Sequence, residues 1–264
     1  MTILVAGGAG RLGRSLARRV GVVAVSRAAM DVCDPAQLAS RLVGHEAVIN
    51  AAAYTHVDRA ETERAAAFAV NATGAGNLAR ACAELGIPLV HVSTDYVFDG
   101  AATRPYREDD PVGPIGAYGE SKAEGERLVL AAGGTVARTS WVFSAADGFV
   151  QRILARLATE PTVEVVDDRH GCPTWIEDLA DVLVMLARRP PGGILHVAGE
   201  GATTWYGLAL AIARAAGIDP ARILPVRSAP TDRRPRFSVL DTTKLRSLGI
   251  APRPWAIGLA EVLR

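Results

Sequence analysis

The chain has 264 residues, of which 49% are hydrophobic and 22% charged, and its formal net charge is +1 at pH 7. These values are typical of a soluble globular protein, and the near-neutral charge argues against nucleic acid or a membrane as the partner. The three cysteines (Cys33, Cys82 and Cys172) are far apart and odd in number, which fits neither a disulfide framework nor a metal-ligand motif. No signal peptide or long apolar span is recognisable, so we expect a cytoplasmic protein.

Up to residue 143, short apolar runs alternate with longer amphipathic ones. The apolar runs predict buried strands at 2–7, 22–26, 47–53, 88–94 and 135–143. The amphipathic runs predict helices at 10–20, 34–43, 58–85 and 118–132, with Leu12, Leu16 and Val20 on one face of the first. Strands that are apolar on both faces and alternate with helices indicate an α/β fold with a doubly wound parallel sheet.

After residue 143 the alternation is looser, and we predict a smaller C-terminal lobe over 144–264 with some elements returning to the sheet of 1–143. A Gly/Pro turn is expected at 169–175, and Thr203 or Thr204 would cap a helix that ends before Gly217. The tail is rich in Pro and Arg and shows little periodicity. Helices are predicted at 148–158, 176–189 and 203–217, and strands at 162–168 and 193–200.

The stretch "VAGGAGRLG" places Gly7, Gly10 and Gly13 three residues apart, between the first strand and the first helix. Glycines allow a sharp turn and a close approach of the backbone to a pyrophosphate, and the start of a helix offers free N–H groups. The spacing is G-x-x-G-x-x-G rather than the commoner G-x-G-x-x-G. The position after an N-terminal strand nevertheless predicts a dinucleotide cofactor.

The second strand ends in "VSRA", near the expected position of the adenosine ribose. No carboxylate there would repel a 2′-phosphate, and Arg27 would pair with one. We therefore predict NADPH as the cofactor, with NADH left open. Asp31 and Val32 follow at the right distance to flank the adenine.

Tyr118 and Lys122 lie four residues apart in a predicted helix, and therefore on one face of it. Of the 29 basic residues only Lys122 and Lys244 are lysines, so a lysine at this position is expected to serve chemistry. A nearby ammonium would lower the pKa of the Tyr118 phenol, which could then protonate a carbonyl oxygen while a hydride reaches its carbon.

A further hydroxyl is needed to orient the substrate carbonyl. Ser93, Thr94 and Asp95 end the strand "VHVSTDYVFDG" at the carboxyl edge of the sheet, where ligands bind in doubly wound folds. From the residues alone, either hydroxyl would serve.

The chain resembles the extended short-chain dehydrogenase/reductases, and within them the dTDP-4-dehydrorhamnose reductase family. The similarity includes "GGAGRLG", "VINAAAYTHVDRAE", "STDYVFDG", "GAYGESKAEGE", "RTSWVF" and "VVDDRHGCPTW". It implies an NADP(H)-binding Rossmann domain over 1–143 and a mostly substrate-binding lobe over 144–264. It also implies NADPH-dependent reduction of the C4 ketone of dTDP-4-dehydro-6-deoxy-L-mannose (dTDP-4-dehydro-L-rhamnose) to dTDP-L-rhamnose.

The resemblance also implies roles for individual residues. Tyr118 would donate the proton, Lys122 would assist it and hold the cofactor ribose, and Thr94 would take the place of a catalytic serine. Asp95 would lie at the substrate, and Trp141 would pack on the deoxysugar. The cofactor would contact Gly10, Arg11 and Leu12 through its pyrophosphate and Ala51, Ala52 and Ala53 beyond it.

Other partners and functions are left open by the sequence. A basic loop with Arg233, Arg234 and Arg236 would meet the nucleotide diphosphate or remain solvated, whereas Trp175 and Trp205 are expected to pack in the lobe. No carboxylate cluster is recognisable, so no metal is predicted, and a homodimer is left open. The alternative functions are a 4-ketoreductase for a related dTDP sugar of the streptose type and an NADP-binding regulatory subunit without turnover. An epimerase or dehydratase is disfavoured because no glutamate follows Asp95.

Overall fold

A computed structural model describes residues 2–264 of the chain. Its strands are, in chain order, β1 (Ile3–Ala6), β2 (Val22–Val25), β3 (Ala47–Asn50), β4 (Leu89–Thr94), β5 (Thr135–Thr139), β6 (Val142–Phe143), β7 (Val163–Val166), β8 (His170–Gly171), β9 (Thr174–Trp175), β10 (Gly193–His196), β11 (Thr203–Thr204) and β12 (Ile223–Val226).

The α-helices are α1 (Arg11–Leu16), α2 (Pro35–Leu42), α3 (Val57–Ala60), α4 (Arg64–Phe68), α5 (Ala75–Glu84), α6 (Ala117–Ala131), α7 (Phe149–Thr159), α8 (Ile176–Arg188), α9 (Trp205–Ala215), α10 (Thr243–Ser247) and α11 (Trp255–Val262). A π-helical segment joins α4 to α5 over Ala69–Gly74, and short 3₁₀ turns occur at Asp95–Val97 and Pro220–Arg222.

Six parallel strands form the central sheet in the order β2-β1-β3-β4-β5-β10. This confirms the predicted doubly wound parallel sheet. The chain moves from β1 to β2 on one side and then to β3 on the other, so the strand order reverses between β1 and β3. Open α/β sheets bind ligands at such a reversal, outside the carboxyl ends of the strands.

Helices cover both faces of this sheet because neighbouring residues of each strand point to opposite sides. Ile3 and Val5 of β1 pack on the face that α1 and α8 cover, together with Leu183. Leu4 packs on the opposite face, covered by α2, α5 and α6, together with Leu78.

The remaining elements form a lobe with its own apolar core. Helices α7, α9 and α11 enclose this core, and Ile153, Leu208 and Leu259 are among its buried side chains. The lobe contains three two-stranded pairs: β12 with β7, β6 with β9, and β11 with β8. Strand β10 and helix α8 follow residue 143 in sequence but pack in the Rossmann sheet and on its face.

The first helix is shorter than predicted, and Val20 is not on its buried face. Helix α1 ends at Leu16, and Val20 is 87% exposed. The amides of Arg18 and Arg19 bond carbonyls three residues back, and Gly21 adopts a φ of +80°, so the chain turns at once into β2. The need to return to the sheet within a few residues overrides the helical periodicity here.

The predicted helix over 58–85 is divided into α3, α4, the π-helical segment and α5. Within that segment, the Asn71 side chain accepts a hydrogen bond from the Tyr54 amide and donates one to the Tyr54 carbonyl oxygen. Asn71 also donates to Ser121 of α6, and a Cβ on Gly125 would come within 2.1 Å of the Asn71 carbonyl oxygen. An inserted π turn that docks so closely on another helix leaves no mark on hydrophobic periodicity.

In the second half of the chain there are three further differences, and one prediction that left two candidates is decided. The strand predicted over 135–143 is interrupted at Trp141, whose φ is +45°, and resumes as β6. The turn predicted over 169–175 contains β8 and β9, and the aperiodic stretch 224–245 contains most of β12 and the start of α10. Thr204, rather than Thr203, caps α9 by accepting a bond from the Gly207 amide. Within residues 2–264, no helix is both long and apolar enough to cross a membrane.

Candidate active site

The glycine turn follows β1 at the reversal of strand order and has no room for side chains. Gly7 adopts a φ of +86°, and a Cβ there would lie 2.6 Å from the Ala52 amide nitrogen. A Cβ on Gly13 would lie 2.3 Å from the Gly7 carbonyl oxygen, and one on Gly10 3.3 Å from it. The turn therefore packs directly on the loop after β3, and this bare backbone edge is the cradle that a pyrophosphate requires.

The residues that follow the glycine turn connect it to the lobe. The Arg11 guanidinium lies 3.6 Å from the Asp147 carboxylate, whereas Leu12 packs its side chain against the core beneath α1. Arg14 also reaches this turn, since its guanidinium bonds the Ala9 carbonyl oxygen and lies 3.9 Å from Asp147.

At the end of β2, Arg27 is 75% exposed and forms an ion pair of 2.9 Å with Asp31. The Asp31 pKa is lowered because the Cys33 amide and Arg27 both donate to its carboxylate, and burial only partly opposes this shift. Val32 is buried in the core, where it packs against Gly74. The Arg27 guanidinium and the Asp31 carboxylate therefore stand together where the adenosine ribose was predicted.

The loop after β3 contains Ala51, Ala52 and Ala53, all partly buried at the same sheet edge. Asn50, the last residue of β3, accepts a bond from the Ala52 amide at 3.1 Å and fixes the direction of this loop. Small side chains leave the backbone of the loop open beside the glycine turn.

Tyr118 and Thr94 are brought together across the cleft between α6 and the end of β4. Thr94 donates its proton to Asp95 at 3.0 Å and accepts a bond from the Tyr96 amide at 3.2 Å, and its hydroxyl also faces the Tyr118 phenol. Burial raises the Tyr118 pKa to about 12, although the bond with Thr94 opposes this rise. The predicted lowering of this pKa by Lys122 is wrong for this structure, because the Lys122 amine faces other partners. Of the two candidate hydroxyls, that of Thr94 meets Tyr118, whereas the buried Ser93 hydroxyl has no partner within residues 2–264.

Lys122 extends below Tyr118 into the sheet. Its Nζ lies 2.7 Å from the Val92 carbonyl oxygen and 3.2 Å from His91 Nε2. Lys122 is 2% exposed, and burial lowers its pKa to about 8, while Glu126 partly offsets this effect. A lysine in this state exchanges its proton near neutral pH.

Asp95 lies behind Thr94 and joins the two halves of the molecule. Its carboxylate accepts bonds from Thr94, from Ser140 at 2.9 Å and from Ser238 at 2.5 Å. Burial raises its pKa to about 6, and these three hydroxyls hold it lower than burial alone would. Asp95 is 2% exposed, so this position favours a role in orienting Thr94. Its predicted contact with the substrate remains a prediction.

Trp141 lies at the break between β5 and β6, on the lobe side of the site. Its ring stacks on that of Trp205 with centroids 3.7 Å apart and planes 10° from parallel. Gly171 packs against the indole so closely that a Cβ there would lie 2.4 Å from it. The positive φ of Trp141 is thus held by packing on both faces.

Beside these indoles lies a cavity of about 420 Å³ between α7, β7 and the loop 231–236. Trp205 and Phe149 form its apolar wall, so the expectation that Trp205 only packs in the lobe is incomplete. Arg152, Arg169 and Arg234 add positive charge. Arg234 is bound to Asp58 and Asp232. Arg233 and Arg236 are exposed, and of these two only Arg233 lines a neighbouring cavity.

Two further arginines of this cavity, Arg152 and Arg169, were not predicted from the sequence. Arg152 has no ion-pair partner within residues 2–264, and the buried Arg169 Nε has no hydrogen-bond partner there either. Arg152 lies one turn from Phe149 on the polar face of a helix, which looks like a solvated position. Arg169 lies in "VVDDRHGCPTW", where the resemblance would have been a signal.

Comparisons with known proteins agree with this geometry. The family model described as RmlD substrate binding domain matches residues 1–264. A dTDP-4-dehydrorhamnose reductase of Streptomyces griseus is 44% identical over 98% of this chain and 91% of its own length. The chain belongs to the dTDP-4-dehydrorhamnose reductase family.

Two further relatives concern the substrate and the cofactor. A dTDP-4-keto-6-deoxy-D-glucose reductase of Streptomyces niveus is 39% identical over 98% of this chain and 95% of its own length. The crystal structure of dTDP-4-dehydrorhamnose reductase from Bacillus anthracis in complex with NADP superimposes with a TM-score of 0.93. It is 30% identical and covers 99% of this chain and 98% of that one.

Proposed function

We propose that this member of the dTDP-4-dehydrorhamnose reductase family reduces the C4 ketone of dTDP-4-dehydro-L-rhamnose to dTDP-L-rhamnose with NADPH. The observation that carries the proposal is the Tyr118 phenol facing the Thr94 hydroxyl at the sheet edge that also carries the bare glycine turn. A proton donor and a dinucleotide cradle at one sheet edge are what carbonyl reduction requires.

The residues divide the chemistry between them. Bound NADPH supplies a hydride to C4. Thr94 donates a hydrogen bond to the ketone oxygen once that oxygen replaces the Asp95 carboxylate as the acceptor of its single hydroxyl proton. Tyr118 gives its proton to the same oxygen, and because burial raises its pKa to about 12 it is fully protonated before the reaction. Lys122, one turn further along the same helix, would supply the proton that restores the phenol.

The cofactor preference rests on the end of β2. The Bacillus anthracis relative was crystallised with NADP, and the backbone of the glycine turn here is free of side chains where a pyrophosphate would lie. A 2′-phosphate would compete with Asp31 for Arg27, and its two negative charges would favour it. NADH would leave the Arg27–Asp31 pair in place.

The cavity beside Trp205 suits the nucleotide of the substrate. Trp205 and Phe149 offer aromatic surface for a base, and Arg152 and Arg169 offer donors for a diphosphate. Trp141 stacks on Trp205 and follows Thr139, the β5 residue that pairs with Thr94, by two residues. The deoxysugar would then lie between this cavity and Thr94. The lobe is accordingly proposed to bind the substrate, and the residues up to 143 the cofactor.

A second substrate is favoured by one comparison. The Streptomyces niveus relative, named a dTDP-4-keto-6-deoxy-D-glucose reductase, covers nearly the whole chain. The same donors would reduce that ketone, and the difference would lie in the sugar configuration near Trp141.

The test measures NADPH oxidation with both keto sugars and identifies the product by NMR. We expect dTDP-L-rhamnose from dTDP-4-dehydro-L-rhamnose, with a higher kcat/KM than for dTDP-4-keto-6-deoxy-D-glucose. The reverse order would assign the second substrate. Binding of NADPH without reduction of either sugar would contradict the proposed reductase.

A further inference from the structure

A buried row of hydrogen-bonded side chains leads from Lys122 away from the cleft and through the sheet. Lys122 Nζ lies 3.2 Å from His91 Nε2, and His91 Nδ1 lies 3.0 Å from Asn50 Nδ2. Lys122, His91 and Asn50 are 2%, 0% and 1% exposed. Among residues 2–264, no carboxylate forms an ion pair with Lys122. A buried ammonium without a counter-charge is costly, so its neighbours decide which form persists.

The orientation of the Asn50 amide is fixed by the backbone. The Ala52 N–H can only donate, and it bonds the Asn50 side chain at 3.1 Å, which makes that atom the oxygen. The amide nitrogen therefore faces His91 and donates to Nδ1. His91 Nδ1 must then carry the lone pair, and the ring proton lies on Nε2.

This tautomer of His91 determines which protonation state of Lys122 can form a hydrogen bond with it. His91 Nε2–H points at Lys122 Nζ and needs a lone pair there, which an amine has and an ammonium lacks. The amine can at the same time donate to the Val92 carbonyl oxygen. An ammonium would place two donors against each other either at His91 Nε2 or, after a change of tautomer, at Asn50.

The charges around Lys122 fit this assignment. On α6 itself, Tyr118 is neutral and Glu126 is bound to Arg138 of β5. On β4, burial and the charge of Lys122 lower the His91 pKa well below its usual value, so the imidazole is neutral. On β3, Asn50 carries no charge. Only Glu126, one turn away, favours the ammonium.

We propose that Asn50 and His91 are positioning residues that stabilise the amine form of Lys122 and so make its ammonium a ready proton donor. The proposal rests on the proposed reductase. Reduction moves the Tyr118 proton to the substrate oxygen and leaves a phenolate. The Lys122 ammonium then gives one proton to that phenolate and becomes the amine, which His91 Nε2–H stabilises. A proton from water restores the ammonium.

The composition of the chain provides a direct test, because Lys122 and Lys244 are its only lysines. Protein labelled with ¹³C at lysine Cε gives two signals, and Lys244→Arg removes one of them. The remaining signal is followed against pH in the wild-type background, without substrate. We expect a midpoint at about 8. A midpoint at the ordinary lysine value of about 10.4 would overturn the proposal.

Asn50→Asp reverses the direction of the hydrogen bonds that link residue 50, His91 and Lys122, with little change in the shape of the side chain. A carboxylate accepts from the Ala52 amide and from His91 Nδ1–H, so His91 Nε2 becomes an acceptor for the Lys122 ammonium. We expect the lysine midpoint to rise by at least about one pH unit, a tenfold change in the equilibrium. The alkaline limb of kcat for ketone reduction should rise with it.

Asn77→Asp is the matched control. Asn77 is a buried amide of α5 that donates to the Val32 carbonyl oxygen and has no bond to Asn50, His91 or Lys122. This substitution should leave the lysine midpoint unchanged. Equal midpoints in wild type and Asn50→Asp would contradict the proposal, and the wild-type titration decides it alone if the variant does not fold. The titration needs no turnover, so a chain that reduces neither sugar but shows the lowered midpoint fails only the proposed function.

Discussion

Two consecutive turns of α6 bury charged side chains and treat them in opposite ways. Glu126 is 3% exposed and meets Arg138, 2% exposed, with guanidinium-to-carboxylate distances of 2.7–3.1 Å. Lys122, one turn earlier, has a carbonyl and an imidazole as partners but no carboxylate. The paired turn holds the fold, whereas the unpaired turn is poised to exchange a proton.

The difference shows how one helix serves both structure and chemistry. A paired charge in a dry interior keeps its protonation state over a wide pH range, because each partner stabilises the other. A buried charge without a partner titrates near neutral pH. Asp95 belongs to the second kind, since hydroxyls rather than cations surround it.

Tyr118→Phe should have the largest effect on activity of any change to α6. The phenyl ring keeps the packing but removes the proton, so kcat should fall by about 10²- to 10⁴-fold while NADPH affinity stays within about threefold. Steady-state kinetics and fluorescence titration of NADPH would measure this. Tyr106→Phe is the control, because it removes a partly buried phenol bonded to Asp99 away from the site. Equal losses in both variants would remove Tyr118 from its proposed role.

Glu126→Ala should have the largest effect on stability. It leaves the Arg138 guanidinium buried without a counter-charge, which costs about 3–5 kcal/mol of unfolding free energy in urea. Glu124→Ala breaks an exposed pair with Arg127 on the same helix and should cost at most about 1 kcal/mol. If the two variants lost the same amount, the buried pair would not be the structural element described above.

Asp95 should make stability depend on pH. Its folded pKa of about 6 lies above the ordinary 3.8, so the folded state binds the proton more tightly than the unfolded state. This contribution is complete below about pH 4 and is lost as the pH rises through about 6. The free energy of unfolding of Asp95→Asn, taken relative to that of the wild type, should therefore be about 1–3 kcal/mol higher at pH 8 than at pH 4. Urea unfolding at both pH values checks this, and a difference that is independent of pH would contradict it.

Arg27→Ala should have the smallest structural effect, because its pair with Asp31 is exposed and contributes at most about 1 kcal/mol to stability. The KM for NADPH should rise by about tenfold and that for NADH by less than about twofold, since only NADPH offers a 2′-phosphate. Arg127→Ala, another exposed arginine, should change neither. Equal losses for both cofactors would show that Arg27 does not bind that phosphate.

Much of the fold followed from local pattern. The strands Ile3–Ala6, Ala47–Asn50 and Leu89–Thr94 are buried on both faces and mostly apolar, and such runs between amphipathic helices fit a covered parallel sheet. The glycine turn and the Tyr118–Lys122 spacing were equally visible, because each depends on residues close together in sequence. The domain division at residue 143 and the site roles remain predictions.

The sheet class, the helix that carries Tyr118 and Lys122, and the family could all be predicted from the residues, because periodicity, glycine spacing and motif boxes are local properties. The packed fold was needed to show that Lys122 contacts His91, that Asp95 accepts bonds from hydroxyls of three segments, and that Trp205 lines a cavity with Arg152. These contacts join residues from distant segments, and the burial that sets their pKa values exists only once the strands and helices have packed.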